Sequence, residues 1–399
     1  MALTARGFSK KEYEARWEKL SVAMTRAGLD AALVTSEENF RYFSGFDSQT
    51  WVSTTRPRYL VLRRNAEPIA IVPASNAFGV RDRTPITDIR TWNAPNPADE
   101  GISMVSSVLR DAARSFGAVG AELGPESRLG MPCGDFLRLI DAVRPMEVRD
   151  VTKLIGQLRL IKSPIEIERI ETIAGIASDC FAALPQLAGG SATSRQVAQR
   201  VSIEALRRGA DKTPYVVVEC GHGGYENIMM GPDDRPIGDG DIMFVDTGSQ
   251  YDGYFCDFDR NYSVGVPHDV VSRAYERMFR ATEAGLAAIR PGRQARDVWR
   301  DVAEIAQPSG DSFVGRMGHG LGLSLTEPPS IHPEDQTVLV AGMVLTLEPS
   351  TTYSWQGPSG AVSKLMVHEE NLVVTESGFH LLSRRAPPEI PLLELGGAP

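Results

Sequence analysis

Cysteine is scarce in this 399-residue chain, with only Cys133, Cys180, Cys220 and Cys256. Their spacings match neither zinc-binding nor redox motifs. This argues against a disulfide framework and fits reduced thiols in a cytoplasmic protein. Also missing is any apolar run near the ~20 residues that a membrane-spanning helix needs. The stretch Met1 to Glu12 lacks the apolar core of a signal peptide. Basic residues are outnumbered, 42 Lys and Arg against 51 Asp and Glu, for a net charge of -9. No basic patch interleaved with aromatics is present, so nucleic acid is not an expected partner. Internal repeats and low-complexity tracts are absent too. What remains is the composition of a soluble globular protein, 42% hydrophobic and 23% charged. The length exceeds one ordinary core, and two domains are expected.

The periodicities divide the chain in the same way. Lys10 to Gly28 carries a helical stripe of Tyr13, Trp17, Leu20 and Ala23. Strands are expected at 31–35, 58–62, 68–72 and 118–123, with a helix over 101–116. This alternation predicts an α/β domain at the N-terminus. Val151 to Ile161 reads as a connecting helix. Ser163 as N-cap and Pro164 at the first helical position open the next helix. Helices over 164–187, 193–208 and 269–289 accompany strands near 214–219, 241–248, 254–264, 343–349 and 364–375. That grouping predicts an α+β domain. The expected boundaries are 1–155 and 156–399, and the proline-rich stretch after Ala386 is expected to be an irregular terminal strap.

The most informative segment runs from Ile242 to Arg260 and reads as a β-hairpin. With Tyr251 and Asp252 as its two-residue loop, Asp246 falls opposite Asp257. Cross-strand Cβ atoms sit ~5 Å apart, and like charges there repel. Such a pair needs a shared proton or a cation, so a carboxylate dyad and a metal site are both open.

Further pieces follow. His319 lies between Gly318 and Gly320, Glu348 ends an apolar strand before Pro349, and Glu369 and Glu370 interrupt the apolar strand after Lys364. A buried Glu is costly unless paired or metal-bound. In this order, Asp246, Asp257, His319, Glu348 and Glu369 match the metal motif of the creatinase/prolidase/methionine-aminopeptidase superfamily. The chain resembles its two-domain members over essentially its whole length. Arg159 to Pro164 at the domain junction carries the same resemblance. The resemblance implies a creatinase-type N-terminal domain and a C-terminal pita-bread domain holding two divalent ions. Four carboxylates and one imidazole suit Mn²⁺, Fe²⁺, Co²⁺ or Zn²⁺. It also implies a homodimer.

Arg56, in the creatinase-like stretch Asn39 to Pro57, matches a substrate-carboxylate ligand supplied by the neighbouring subunit. Trp51 is the candidate surface for a methylated cation or a prolyl ring. Two departures concern the histidines of the proline-specific peptidases, which are replaced here by Met229 and Thr326. Neither side chain can act as an acid or base near pH 7. His222 is the candidate substitute, and Glu327 and Asp259 are candidate bases. The expected activity is hydrolysis of a small carboxylate-bearing amide, with Glu348 or a neighbouring carboxylate moving the proton. The alternatives are a metal-dependent lyase or C–N hydrolase acting on a small zwitterion, and a non-catalytic binding protein. Retention of all five ligands argues against the last.

Overall fold

The Ser9 hydroxyl accepts the Glu12 backbone N–H and starts helix α1 (Lys10–Ala27), where a helical stripe is expected. The computed structural model describes residues 3–112, 115–189, 192–307, 315–358 and 360–394. It divides into two compact units, Arg6–Arg159, and Met1–Ala5 with Leu160–Pro399.

The first unit is built on a six-stranded sheet. Its strands are β1 (Ala31–Val34), β2 (Tyr59–Arg63), β3 (Ile69–Pro73), β4 (Asp88–Trp92), β5 (Ala118–Ala121) and β6 (Glu147–Asp150), ordered β4-β3-β2-β1-β5-β6. β1 pairs antiparallel with β2 and parallel with β5, so the sheet is mixed. Four helices follow α1, namely α2 (Glu37–Ser44), α3 (Ala77–Arg83), α4 (Ile102–Ala112) and α5 (Cys133–Ala142). Alternate strand residues Leu33, Val61, Ile71 and Val119 share a buried cluster with Val105 and Leu109 of α4 and Phe136 and Leu139 of α5. A period of two on the strands meets a period of 3.6 on the helices. Glu122, 2% exposed, accepts the backbone N–H groups of Thr35 and Ser36 and the Asn39 amide, and so anchors the start of α2. Helix α6 (Thr152–Leu160) runs unbroken across residues 155 and 156, and the unit ends near its last turn rather than at the expected boundary.

Ser163 and Pro164 open α7 (Pro164–Ala182) with a capping box. The Ser163 hydroxyl accepts the Glu166 N–H, and the Glu166 carboxylate accepts the Ser163 N–H. The helix expected to reach 187 breaks at Ala183, and Pro185 lies in the first turn of the short α8 (Leu184–Leu187). After α9 (Ser194–Arg208) come β7 (Lys212–His222), β8 (Asp241–Tyr251), β9 (Tyr254–Phe255) and β10 (Phe258–Val264) in one sheet. α10 (Asp269–Ala288) and α11 (Ala295–Ala306) follow. A second sheet, ordered β12-β11-β13-β16-β17, contains β11 (His319–Gly320), β12 (Glu327–Ser330), β13 (Val344–Leu347), β16 (Glu370–Val374) and β17 (Phe379–Leu381). β14 (Ser350–Gly357) and β15 (Gly360–Val367) form a separate hairpin. Tyr275 and Met278 of α10 and Val298 and Val302 of α11 join Phe244, Leu345, Leu347 and Leu372 in the core. Each such side chain contributes ~1.5–3 kcal/mol on full burial.

The strand expected over 364–375 is two strands. β15 pairs with β14 up to Val367, and β16 begins at Glu370 in the other sheet. The chain changes sheets at His368 and Glu369. The tail is a strap that ends in order, because Ser263 donates to the Pro391 carbonyl and β18 (Leu392–Leu393) adds parallel to the edge of β10. All four cysteines are free. No helix among the described residues is long and apolar enough to cross a membrane.

Candidate metal centre

The hairpin turns one residue later than expected. Asp252 at φ 49° and Gly253 at φ 81° form its two-residue loop, and Tyr251 pairs with Tyr254. Asp-Gly with both residues at positive φ is the favoured hairpin turn, since its twist matches the strands. The register therefore shifts by two, and Asp246 stands opposite Asp259, not Asp257. A shift of two preserves the face on which side chains point. Asp257 thus stays on the same face as Asp246 and Asp259. Between β9 and β10, Asp257 leaves the ladder and is gripped by the second sheet. Its N–H donates to Asn371 Oδ1 at 3.0 Å, and Asn371 Nδ2 donates to its carbonyl.

The second sheet supplies the other groups. Gly318 takes φ 142°, and a Cβ there would lie 2.4 Å from the Thr346 carbonyl, so only glycine lets the chain pass here. His319 follows, 3% exposed. Its Nδ1 lies 2.8 Å from the Gly320 carbonyl, which makes Nδ1 the donor and leaves Nε2 to meet the carboxylates or, once deprotonated, a cation. Nε2 lies 3.4 Å from Asp257 Oδ2 and 3.9 Å from Glu348 Oε1. Glu369, at the change of sheets, is 4% exposed. One ligand atom each from Asp257, His319 and Glu369 lie within 4.8 Å of one another.

The electrostatics of this cluster call for positive charge. Burial, then repulsion from neighbouring carboxylates, raises Asp246 and Glu369 well above the usual carboxylate range. Burial also raises Glu348, opposed by His319. For His319, burial pulls the imidazole down, but the Asp257 hydrogen bond and the Glu348 charge carry it above its ordinary value. Asp246 Oδ1, Asp259 Oδ2 and Glu369 Oε1 are buried with no hydrogen-bond partner among the described residues. Unpartnered buried carboxylate oxygens are rare and costly. An oxygen-rich donor set beside one accepting imidazole nitrogen is the chemistry that divalent transition ions fit.

Asp246, Asp257, His319, Glu348 and Glu369 are therefore brought together, while His222 is not. His222 pairs with Asp241, five positions along β7 from Val217, the partner of Asp246. That places it roughly 17 Å away along the strand. It is exposed, with its ring edge-on to Trp355 at 5.7 Å. Glu327 is buried in an ion pair with Lys162 at 3.0 Å and accepts the Ser324 N–H, so it is not a free base. Thr326 is half-buried beside it, and Met229 is 85% exposed in the loop after β7. In the first unit, Arg56 is exposed at φ 63°. Trp51 is half-buried, and its ring already faces a cation, the Arg58 guanidinium at 4.6 Å.

Sequence reasoning missed two supports. Tyr215 donates to Asp257 Oδ1, and burial and the nearby carboxylates push its phenol far above 10, so it stays a donor. No local signal marks it, because β7 is irregular between Lys212 and Tyr215. Asn371, with no exposure at all, was signalled only as a polar residue in an apolar run.

A cluster of carboxylates around one imidazole, drawn from two sheets, has the make-up of a site that could hold a metal ion. Residues 16–161 match the creatinase/prolidase N-terminal domain and residues 168–376 match metallopeptidase family M24. The chain belongs to metallopeptidase family M24 and is a hydrolase. It is similar to a probable dipeptidase PepE from Mycobacterium bovis, 28% identical over 378 residues, covering 94% of this chain and 95% of that protein. An Xaa-Pro dipeptidase from Pyrococcus furiosus is 31% identical over 242 residues, covering 60% of this chain and 67% of the relative. Among solved structures, a prolidase from Thermococcus sibiricus superposes with TM-score 0.83 at 25% identity, covering 97% of this chain and all of that one.

Proposed function

We propose that the chain hydrolyses a small carboxylate-bearing amide of the Xaa-Pro dipeptide type, using two divalent cations (Mn²⁺, Fe²⁺, Co²⁺ or Zn²⁺). Asp246, Asp257, His319, Glu348 and Glu369 would hold them. The observation that carries this reading is the cluster of Asp257, His319 and Glu369, with ligand atoms within 4.8 Å of one another, beside buried carboxylate oxygens of Asp246 and Glu369 that lack a partner among the described residues. The relatives named as dipeptidases support the substrate class. Bound cations supply Lewis acidity, polarising an amide carbonyl and making water a better nucleophile.

The chain's own residues do the rest. Tyr215 and Asn371 hold the side chain and backbone of Asp257 in place. Glu348, its side chain 24% exposed against 7% for Asp257, is the more accessible of the two carboxylates beside His319. A carboxylate beside the reacting water is suited to take its proton as the C–O bond forms. It then delivers that proton to the amine nitrogen as the C–N bond breaks. Arg56, supplied by the neighbouring copy in a homodimer, would bind the substrate carboxylate.

One observation favours a second reading, a metal-dependent lyase or C–N hydrolase acting on a small zwitterion. Among the described residues His319 is the only imidazole in the cluster, and Met229 and Thr326 stand where the proline-specific peptidases carry histidines. The two readings separate by product mass. Mn²⁺- or Fe²⁺-loaded protein is incubated with glycyl-proline and, separately, with dimethylsulfoniopropionate and ectoine- or creatine-like compounds. Release of proline is the expected result. Turnover of a zwitterion with none of the dipeptide would reverse the choice.

A further inference from the structure

We propose that Asp259 is a sixth protein ligand of this centre, and that it tilts the site toward a hard, six-coordinate ion such as Mn²⁺ over Zn²⁺. The inference rests on the metal reading above but adds a residue outside the five-member set. Asp259 stands directly opposite Asp246 across β8 and β10, where Cβ atoms are ~4.5–5.5 Å apart. It is 1% exposed. Its Oδ1 accepts one long bond, 3.3 Å from Asn261 Nδ2, and its Oδ2 has no partner among the described residues. Asp246 Oδ1, across the strand pair, lacks one as well.

The neighbouring cation does not answer this need. The Arg260 guanidinium turns to Glu370 Oε2 at 2.9 Å and to the carbonyls of Asp259, Glu369 and Arg384. Strand alternation puts the carboxylate of Asp259 on one face and this guanidinium on the other. A carboxylate kept only for structure would be surrounded by donors, as Glu122 is. Asp259 instead faces another carboxylate with an oxygen to spare on each, an arrangement that repels unless a cation lies between. A further carboxylate oxygen completes the coordination that Mn²⁺ favours, whereas Zn²⁺ is satisfied by four ligands.

The test compares chelator-stripped wild type with Asp259→Asn, which keeps the side-chain shape and removes the charge. Both are titrated calorimetrically with MnCl₂ and with ZnCl₂, and visible spectra of the Co²⁺ forms report coordination number. Wild type is expected to take up two Mn²⁺. In Asp259→Asn, one Mn²⁺ step weakens at least about tenfold, the lower end of what even outer-shell partners contribute, with a smaller change for Zn²⁺. The Co²⁺ absorbance per ion rises as coordination falls, and the metal-free variant melts no lower than wild type because a repulsion is gone. Unchanged titrations and an unchanged Co²⁺ spectrum would overturn the role of Asp259 and leave the two-cation reading standing. A metal-free variant melting far below wild type would assign Asp259 a structural role and likewise overturn the proposal. Wild type that takes up neither ion would remove the two-cation reading itself.

Discussion

Asn371→Ala is the sharpest probe of how the two sheets share the site. The Asn371 amide makes two bonds to the backbone of Asp257, accepting its N–H at 3.0 Å and donating to its carbonyl. Both partners are buried, at 5% exposure for Asp257 and none for Asn371. Truncation strands one N–H and one C=O, each costing ~1–3 kcal/mol when buried and unsatisfied. With partial relief from an entering water, the net loss is about 2–4 kcal/mol. At roughly 2–4 °C per kcal/mol for a unit of this size, the melting point should fall by about 4–16 °C. The loss also reaches function, because Asp257 is displaced from His319 and Glu369. Metal affinity should drop with stability, and calorimetric melting with and without Mn²⁺ reads both. Asn371→Asp should be no better, because its second oxygen would meet the Asp257 carbonyl and add charge to a carboxylate cluster. Wild-type melting and wild-type metal uptake in Asn371→Ala would refute the idea that this amide carries the position of Asp257.

The remaining expectations address other groups. Burial pushes His368 down to about 3 despite the Glu370 charge. Its Nε2 faces the Arg385 guanidinium at 3.4 Å, its Nδ1 faces Thr282 at 3.0 Å, Tyr275 and Phe279 flank the ring, and Arg260 adds further positive charge. In the unfolded chain this imidazole titrates near ~6.5. Above that pH both states are neutral and the contribution is complete. As pH falls from ~6.5 toward 3 the unfolded state binds a proton that the fold refuses, and metal-free stability should drop by up to ~1.4 kcal/mol per pH unit. His368→Gln with the same slope in this window would contradict this. Lys162→Met removes the cation that faces buried Glu327 at 3.0 Å, at a cost of about 3–5 kcal/mol. The double variant with Glu327→Leu should recover most of it, and a double variant no more stable than the single would show that the ion pair is not the cause. Arg56→Ala should raise KM for glycyl-proline by about 10–100-fold, the worth of a charge-assisted bond, with metal content unchanged. An unchanged KM would place the carboxylate ligand elsewhere.

The parts of this molecule legible from sequence are those written in local pattern. Ser163-Pro164 declared a helix start, and the alternation before Asp246 declared a strand. The five metal candidates were legible as a motif, and Asp257, His319 and Glu369 have ligand atoms within 4.8 Å of one another, with Glu348 3.9 Å from His319. The turn was legible in principle, since Asp252-Gly253 is the stronger hairpin signal, yet a reading one residue early set the wrong cross-strand partner for Asp246. What stayed hidden depends on partners distant in the chain. Glu327 looked like a free base because its cation, Lys162, lies 165 positions away. His222 looked close to the aspartates, but an extended strand carries it off. Tyr215 gave no sign, since an irregular strand hides the face on which a side chain emerges.

The strap after Ala386 lies against the strand that carries Asp259. Leu392 and Leu393 occupy the outer margin of the strand that carries Asp259, while the Arg384 carbonyl and the Ala386 N–H close around Arg260 and Glu370 just behind Glu369. Loss of Leu392 and Leu393 would leave a raw strand margin open to self-association. A purification handle is therefore better fused at the other terminus, and preparations that lose activity on storage deserve an intact-mass measurement before any blame falls on lost cations.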